Sequence, residues 1–204
     1  MSEPAVRAAI EMTPAATALV AALGARSIVL VGMMGAGKSS IGRRLAAALG
    51  LVFVDADSEI EKAAGMTISE IFTAQGEAYF RAGEARVIAR LLESGPQVLA
   101  TGGGAFMNAQ TRELIRAKGL SVWLKADIDV LLRRVKRRAD RPLLKSDDPQ
   151  ATLERLVAER YPVYAEADIT IHSRDVPHEA IVSEIIAALA QRIGSTAKEE
   201  GAPP

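Results

Sequence analysis

Eight residues constrain what this chain can fold into more than any other stretch: Gly32-Met33-Met34-Gly35-Ala36-Gly37-Lys38-Ser39. They fit the pattern G-x-x-x-x-G-K-[ST] in full. An apolar run, Ile28–Val31, precedes them, and a stretch of helical character, Ser39–Leu49, follows. Glycine admits tight turns that bring successive N–H groups to face inward. The start of a helix adds a positive partial charge at the same place. In this setting Lys38 can reach the β- and γ-phosphates of a nucleoside triphosphate, and the Ser39 hydroxyl can ligate Mg²⁺. The loop does not specify what receives the phosphate, so that information has to lie at the other strand ends.

Short apolar runs recur at Val52–Val54, Val98–Thr101, Val122–Leu124 and Ile169–Ile171. Unbroken runs of this length suit strands covered on both faces. Helical stretches intervene at Lys38–Leu49, Glu77–Leu92, Ala109–Lys118, Ile128–Arg138 and Glu179–Ile193. This alternation predicts an α/β fold of three layers, a parallel sheet with helices on both faces. Residues 1–26 form an Ala-rich leader without the basic start and compact apolar block of a signal peptide. Thr13 followed by Pro14 predicts a short helix ending at Gly24. We read 1–26 as a loosely attached extension, partly helical or flexible, 27–194 as the folded domain, and the polar segment 195–204 as a disordered tail.

The 204 residues carry 25 basic and 25 acidic side chains, a formal net charge of zero. That balance speaks against a chain that coats nucleic acid. There is no cysteine, which excludes disulfides, a thiolate nucleophile, a zinc–thiolate site and an iron–sulfur cluster. The cytosol is the expected compartment. The only histidines, His172 and His178, leave little for an imidazole-based metal centre and read as ordinary surface or turn residues. No uncharged apolar run reaches the roughly 18 residues of a membrane helix.

Ligands in open α/β sheets bind beyond the carboxyl ends of the strands. The second run closes on Asp55-Ala56-Asp57. On an extended segment the two acids point the same way. Asp55 can hold a magnesium-bound water; Asp57 reads either as a contact to an acceptor hydroxyl or as the cap of a helix beginning near Ser58. The third run ends in Gly102-Gly103-Gly104, which is either a close approach of bare backbone to a ligand or a floppy turn. Successive free amides there can bind a carboxylate or hydroxyl. Arg81 shares a helix face with Glu84, a pairing that by itself is a surface feature. Arg160 is equally ambiguous alone, but two guanidinium forks near the glycines would suit an anionic acceptor. The window Arg133–Lys145 holds seven basic residues and one acid. It reads as a nucleic-acid patch without stacking aromatics, as a solvated helix face, or as a mobile cover in which Arg141 acts on the transferring phosphoryl group.

Taken in order, these elements resemble the shikimate kinases. That family carries a phosphate loop, a D-x-D after strand two, an F-R with a downstream Glu, a triple glycine, an R-P-L-L and an R-x-x-x-Y. Here they stand as Gly32–Ser39, Asp55-Ala56-Asp57, Phe80-Arg81 with Glu84, Gly102–Gly104, Arg141–Leu144, and Arg160 with Tyr164, spread over about residues 27 to 190. The resemblance implies a P-loop fold like that of nucleoside monophosphate kinases, with a five-stranded parallel sheet of order 2-3-1-4-5 and a mobile lid at about 134–150. It implies ATP- and Mg²⁺-dependent phosphorylation of the 3-hydroxyl of shikimate, on the route to chorismate and the aromatic amino acids. By position, Asp57, Arg81, Gly102, Gly103, Gly104 and Arg160 meet shikimate, with both arginines on its carboxylate. Gly35, Ala36, Gly37, Lys38, Ser39 and Ser40 hold the phosphates, and Ser39 and Asp55 serve the metal. Arg141 reaches the phosphates from the lid, and Arg134 and Arg174 flank the adenine. The implied partners are shikimate and ATP, with no nucleic acid or membrane, and the implied state is a monomer.

The residues and the resemblance agree on mechanism. Phosphoryl transfer passes through a loose transition state, so positioning and charge neutralisation dominate. Asp57, Lys38 and Arg141 form the expected catalytic set. An aspartate of ordinary pKa, about 3.9, is a feeble base for an alcohol, so Asp57 is expected chiefly to orient the acceptor. The loop alone also fits another small-molecule kinase of this fold, such as a gluconate kinase, or a non-catalytic sensor of the same ligands. The D-x-D, the glycine run and the paired arginines favour a carboxylated cyclic polyol.

Overall fold

The computed structural model describes residues 12–136 and 148–200. Arg141 and the rest of 137–147, most of the expected lid, lie outside the described residues. Five strands, β1 (Ser27–Val31), β2 (Val52–Asp55), β3 (Gln97–Ala100), β4 (Gly119–Lys125) and β5 (Ile169–His172), form one sheet of order β2-β3-β1-β4-β5. Every adjacent pair is parallel, with Leu30 of β1 in register with Ala100 of β3 and Val122 of β4. This is the expected topology. β1 and β3 are buried throughout, as unbroken apolar runs require. The edge strands depart from that rule: β5 alternates buried and exposed residues, and Val52 opens β2 in solvent.

Around the sheet lie α1 (Pro14–Leu23), α2 (Lys38–Leu49), α3 (Ala56–Ala64), α4 (Ile68–Leu92), α5 (Ala109–Lys118), α6 (Ile128–Lys136), α7 (Pro149–Tyr164) and α8 (His178–Glu200). Among the described residues no helix is long and apolar enough to cross a membrane. The apolar-run reading did not find α7 or the first half of α4, yet both carry start signals. Asp148 accepts from the Ala151 N–H at 2.9 Å with Pro149 at the first helical position. Thr67 and Glu70 close a reciprocal capping box. α4 breaks at Gly76, whose φ of 81° and ψ of 171° are not helical, and Glu77 begins the stretch read from sequence.

The short helix expected after Thr13 is α1, ending at Leu23 before Gly24. Ala16, Leu19 and Leu23 recur at spacings of three and four, which places them on one helical face. All three are buried in the main core, and α1 packs on α2 and α8. The leader is therefore docked over residues 14–23. α8 continues to Glu200, into the segment read as a disordered tail, because no Pro or Gly interrupts Ser195–Glu200 and Ala, Lys and Glu favour helix.

The buried seam of α1 makes a stability prediction. Leu23 is 1% exposed. Leu23→Ala should lower unfolding stability by about 2–4 kcal/mol, read as a shifted denaturant midpoint with unchanged slope. An unshifted midpoint would show that α1 contributes nothing to the fold.

Candidate active site

The phosphate loop is pressed against the backbone of β4. A Cβ built on Gly32, where φ is 134°, would lie 2.7 Å from the Leu124 carbonyl oxygen. Gly35 and Gly37 take left-handed φ values of 83° and 95°. Gly37 is the N-cap of α2 and offers no side-chain cap to that helix's first N–H groups. Lys38 folds back over the loop, its Nζ donating to the carbonyls of Gly32 at 2.7 Å and Met33 at 3.0 Å. Ser39 Oγ donates to Asp55 Oδ2 at 2.7 Å, which ties the loop to the end of β2.

Asp55 and Asp57 do not share an extended segment. β2 ends at Asp55, which is the N-cap of α3 and accepts from the Asp57 N–H at 3.2 Å. Asp57 lies in the first turn of that helix, so the capping role weighed for Asp57 belongs to Asp55. Both carboxylates still line one cleft of about 700 Å³ together with Gly35, Gly37, Lys38, Ser39, Ser40, Gly103, Arg134 and Arg174. The hydroxyl of Ser39 and the carboxylate of Asp55 are hard oxygen donors, a set that fits Mg²⁺. Among the described residues no three His, Cys, Asp or Glu side chains converge as a metal cage. Mg²⁺ commonly takes one or two protein oxygens and draws its other ligands from substrate phosphates and water, so these two residues suffice to receive it with a nucleotide.

At the end of β3 the glycine run is enclosed by charged side chains. A Cβ on Gly102 would lie 2.7 Å from Asp57 Oδ1 and 2.8 Å from Glu84 Oε1. One on Gly103 would meet Arg160 Nη1 at 3.3 Å, and one on Gly104 would sit 2.6 Å from the guanidinium carbon of Arg81. Three side-chain-free positions thus admit two carboxylates and two guanidiniums from α3, α4 and α7. Gly102, Gly104, Arg81 and Arg160 stand beside the cleft rather than in its lining, and Ala36, within the phosphate loop, is buried. Arg160 donates to the Gly103 carbonyl at 3.1 Å, as does the Tyr164 hydroxyl. Arg81 is more than the surface pair it resembled: Nη1 donates to Glu84 at 2.8 Å, while Nε and Nη2 donate to Glu77 at 3.2 and 3.1 Å.

Burial governs the electrostatics here. It pushes the Glu84 carboxyl above its ordinary range; Arg81 opposes that shift and the charge of Asp57 adds to it. Burial also works against the charge of Arg81, but Glu84 and Glu77 outweigh it and hold the guanidinium above its usual value. Glu84 Oε1 and Arg160 Nε are buried without a hydrogen-bond partner among the described residues.

The basic end of α6 serves as a strut. Arg134 donates to Ser173 Oγ at 2.9 Å, the Arg174 carbonyl at 2.9 Å and Asp175 at 3.0 Å, and Ser173 Oγ in turn donates to the Ala36 carbonyl at 2.8 Å. The turn after β5 is thereby fastened to the phosphate loop. Arg174 lines the cleft while pairing with Glu184 at 3.1 Å. Ser173 and Asp175 also line it and were not singled out from sequence, because no motif marks them. His178 opens α8 as an exposed residue at the rim of the cleft.

Comparison with known proteins bears on the whole of this arrangement. The sequence model of the family described as shikimate kinase matches residues 34–190. The chain is 66% identical over 189 residues to a shikimate kinase of Rhodopseudomonas palustris, covering 93% of each. It is 67% identical over 180 residues to one of Bradyrhizobium diazoefficiens, covering 88% of this chain and 86% of that protein. A solved shikimate kinase from Acinetobacter baumannii in complex with shikimate superposes with a TM-score of 0.80 at 38% identity, covering 84% of this chain and 97% of that one. The chain belongs to the shikimate kinase family.

Proposed function

We propose that the chain transfers the γ-phosphoryl group of MgATP to the 3-hydroxyl of shikimate, giving shikimate 3-phosphate and ADP, within aromatic amino acid biosynthesis. One observation carries this reading: beside the phosphate-loop cleft, Asp57, Arg81 and Arg160 come from three helices to the same glycine run. A carboxylate for a hydroxyl and two guanidinium forks for a carboxylate match a hydroxylated ring acid. Gluconate offers the same group types without the ring, so the acceptor test below includes it. We place the enzyme in the cytoplasm as a monomer, on its family and its cysteine-free composition.

Each residue then has a stated task. Arg81 and Arg160 clamp the acceptor carboxylate. Asp57 accepts a hydrogen bond from the acceptor hydroxyl and sets its oxygen in line with the γ-phosphorus. That oxygen forms a bond to phosphorus as the bond to the β–γ bridging oxygen breaks, and the hydroxyl proton leaves toward Asp57 or water. The N–H groups of Gly35 to Ser40 hold the phosphates, and Lys38 exchanges its two loop carbonyls for phosphate oxygens. Ser39 and Asp55 would hold Mg²⁺, which would screen the phosphate charge. Arg134 keeps the adenine side of the cleft in shape through Ser173 and Asp175, with Arg174 at its rim. Arg141, outside the described residues, supplies a further cation to the transferring group.

The assignment is checked by ADP release from MgATP with shikimate, gluconate or nucleoside monophosphates as acceptor. Shikimate alone should support turnover; ADP release that ignores shikimate would remove the assignment. Asp57→Asn should lower kcat by about 10²-fold or more while ATP affinity stays within about twofold, and equal losses in both would sink the orienting role. Arg81→Ala and Arg160→Ala should each weaken shikimate binding by about ten- to a hundredfold, with ATP binding little changed. Unaltered shikimate affinity in either variant would refute that residue's contact with the carboxylate.

A further inference from the structure

Tyr164 belongs to none of the tasks assigned above, yet its hydroxyl lies between the phosphate loop and the glycine run. It is the last residue of α7, one turn beyond Arg160, and it is fully buried. Its hydroxyl donates to the Gly103 carbonyl, the same oxygen that receives Arg160 Nη1 at 3.1 Å. The Met33 sulfur, in the phosphate loop, lies 3.9 Å from that hydroxyl. The ring is wedged among Phe106, Trp123 and Tyr161, with centroid distances of 6.4, 5.9 and 6.3 Å.

A run of three glycines has more backbone freedom than any other tripeptide and loses more of it on ordering. Something outside the run must therefore fix its peptide planes. In a planar trans peptide the C=O and the N–H point to opposite sides. Anchoring the Gly103 carbonyl toward α7 consequently sends the Gly104 N–H away from α7. We propose that Tyr164 is a positioning residue for the acceptor: its hydroxyl and Arg160 together lock the Gly103 carbonyl and so orient the glycine-run amides that receive shikimate. The inference rests on the acceptor reading given above. Burial supports it by pushing the tyrosine hydroxyl up to about 12, so the group remains a donor across the working pH range. Arg160 and Arg81 are the charged groups that face it, and both oppose that shift.

Tyr161 provides a matched control. It lies on the same helix, its hydroxyl donates to the Ala126 carbonyl away from the glycine run, and its ring packs edge-on against Trp123 at 5.0 Å. Tyr164→Phe and Tyr161→Phe each delete one hydrogen-bonded hydroxyl, buried at Tyr164 and half-buried at Tyr161, and keep the ring. Steady-state kinetics would be measured beside thermal midpoints. The emission of Trp123, the chain's only tryptophan, would give shikimate Kd without turnover.

Tyr164→Phe should raise the shikimate KM and Kd by about three- to tenfold, with kcat and the ATP KM within about twofold. Tyr161→Phe should lower the thermal midpoint at most slightly and leave the shikimate KM where it was. The proposal is overturned if Tyr164→Phe leaves the shikimate KM unchanged, raises both KM values alike, or loses its folded circular dichroism. It is overturned equally if Tyr161→Phe reproduces the shift. Absence of shikimate-dependent turnover in the unsubstituted chain would instead remove the acceptor assignment, which separates the two failures.

Discussion

The site depends on a missing atom repeated three times. At Gly102 and Gly104 a Cβ would overlap carboxylates or a guanidinium, and at Gly103 it would press on Arg160. β-Carbons at those three positions would crowd the side chains by which α3, α4 and α7 bring Asp57, Glu84, Arg81 and Arg160 to one strand end. Opposite charges at this range, partly withdrawn from water, interact more strongly than on the surface. They also hold one another: Glu84 is 3% exposed and tolerable only because Arg81 faces it. The acceptor side is thus a charge cluster built on bare backbone, with its stability and its proposed binding role vested in the same groups.

The nucleotide side solves a different problem with the same residue type. Gly32 lets the phosphate loop come against the Leu124 carbonyl, while Gly35 and Gly37 supply backbone angles that other residues rarely adopt. The Ser39–Asp55 bond then joins this loop to β2, and Ser173 joins it to the turn after β5. Because β2 and β5 are the two edges of the sheet, these bonds tie the loop across its whole width.

Much of this was legible in the sequence because the decisive signals are local. The phosphate loop reads as eight consecutive residues, and the strands read as apolar runs because the central ones are buried on both faces. Two kinds of feature escaped. Helix starts that depend on a capping pair, Thr67 with Glu70 and Asp148 before Pro149, carry little apolar periodicity, and reading for apolar runs passes over them. Contacts between residues far apart in sequence escaped as well. Nothing near Ser173 announces that it bonds Ala36, and nothing near Arg81 shows that its partner Glu84 is deeply buried. The opposite roles of Asp55 and Asp57 turned on a single residue of strand length, which ends β2 at Asp55 and puts Asp57 inside a helix.

The chain's neutrality acquires a spatial meaning from this arrangement. Twenty-five cations and twenty-five anions could pair off on the surface, where each pair is worth little. Several do, as Lys118 does with Glu93 and Arg44 with Glu179. At the glycine run the pairing is deliberately incomplete: Glu84 keeps one oxygen and Arg160 keeps its Nε buried and unpartnered among the described residues. Buried unpaired polar atoms cost more than exposed pairs gain, so a fold retains them only where the surrounding packing over-determines the site. Here that packing is Tyr164, Phe106 and Trp123 behind Gly103 and the α4 ion pairs in front of it. The apolar wedge and the charged shell are therefore parts of one device, in which core packing fixes the angle at which the charged groups meet at the glycine run.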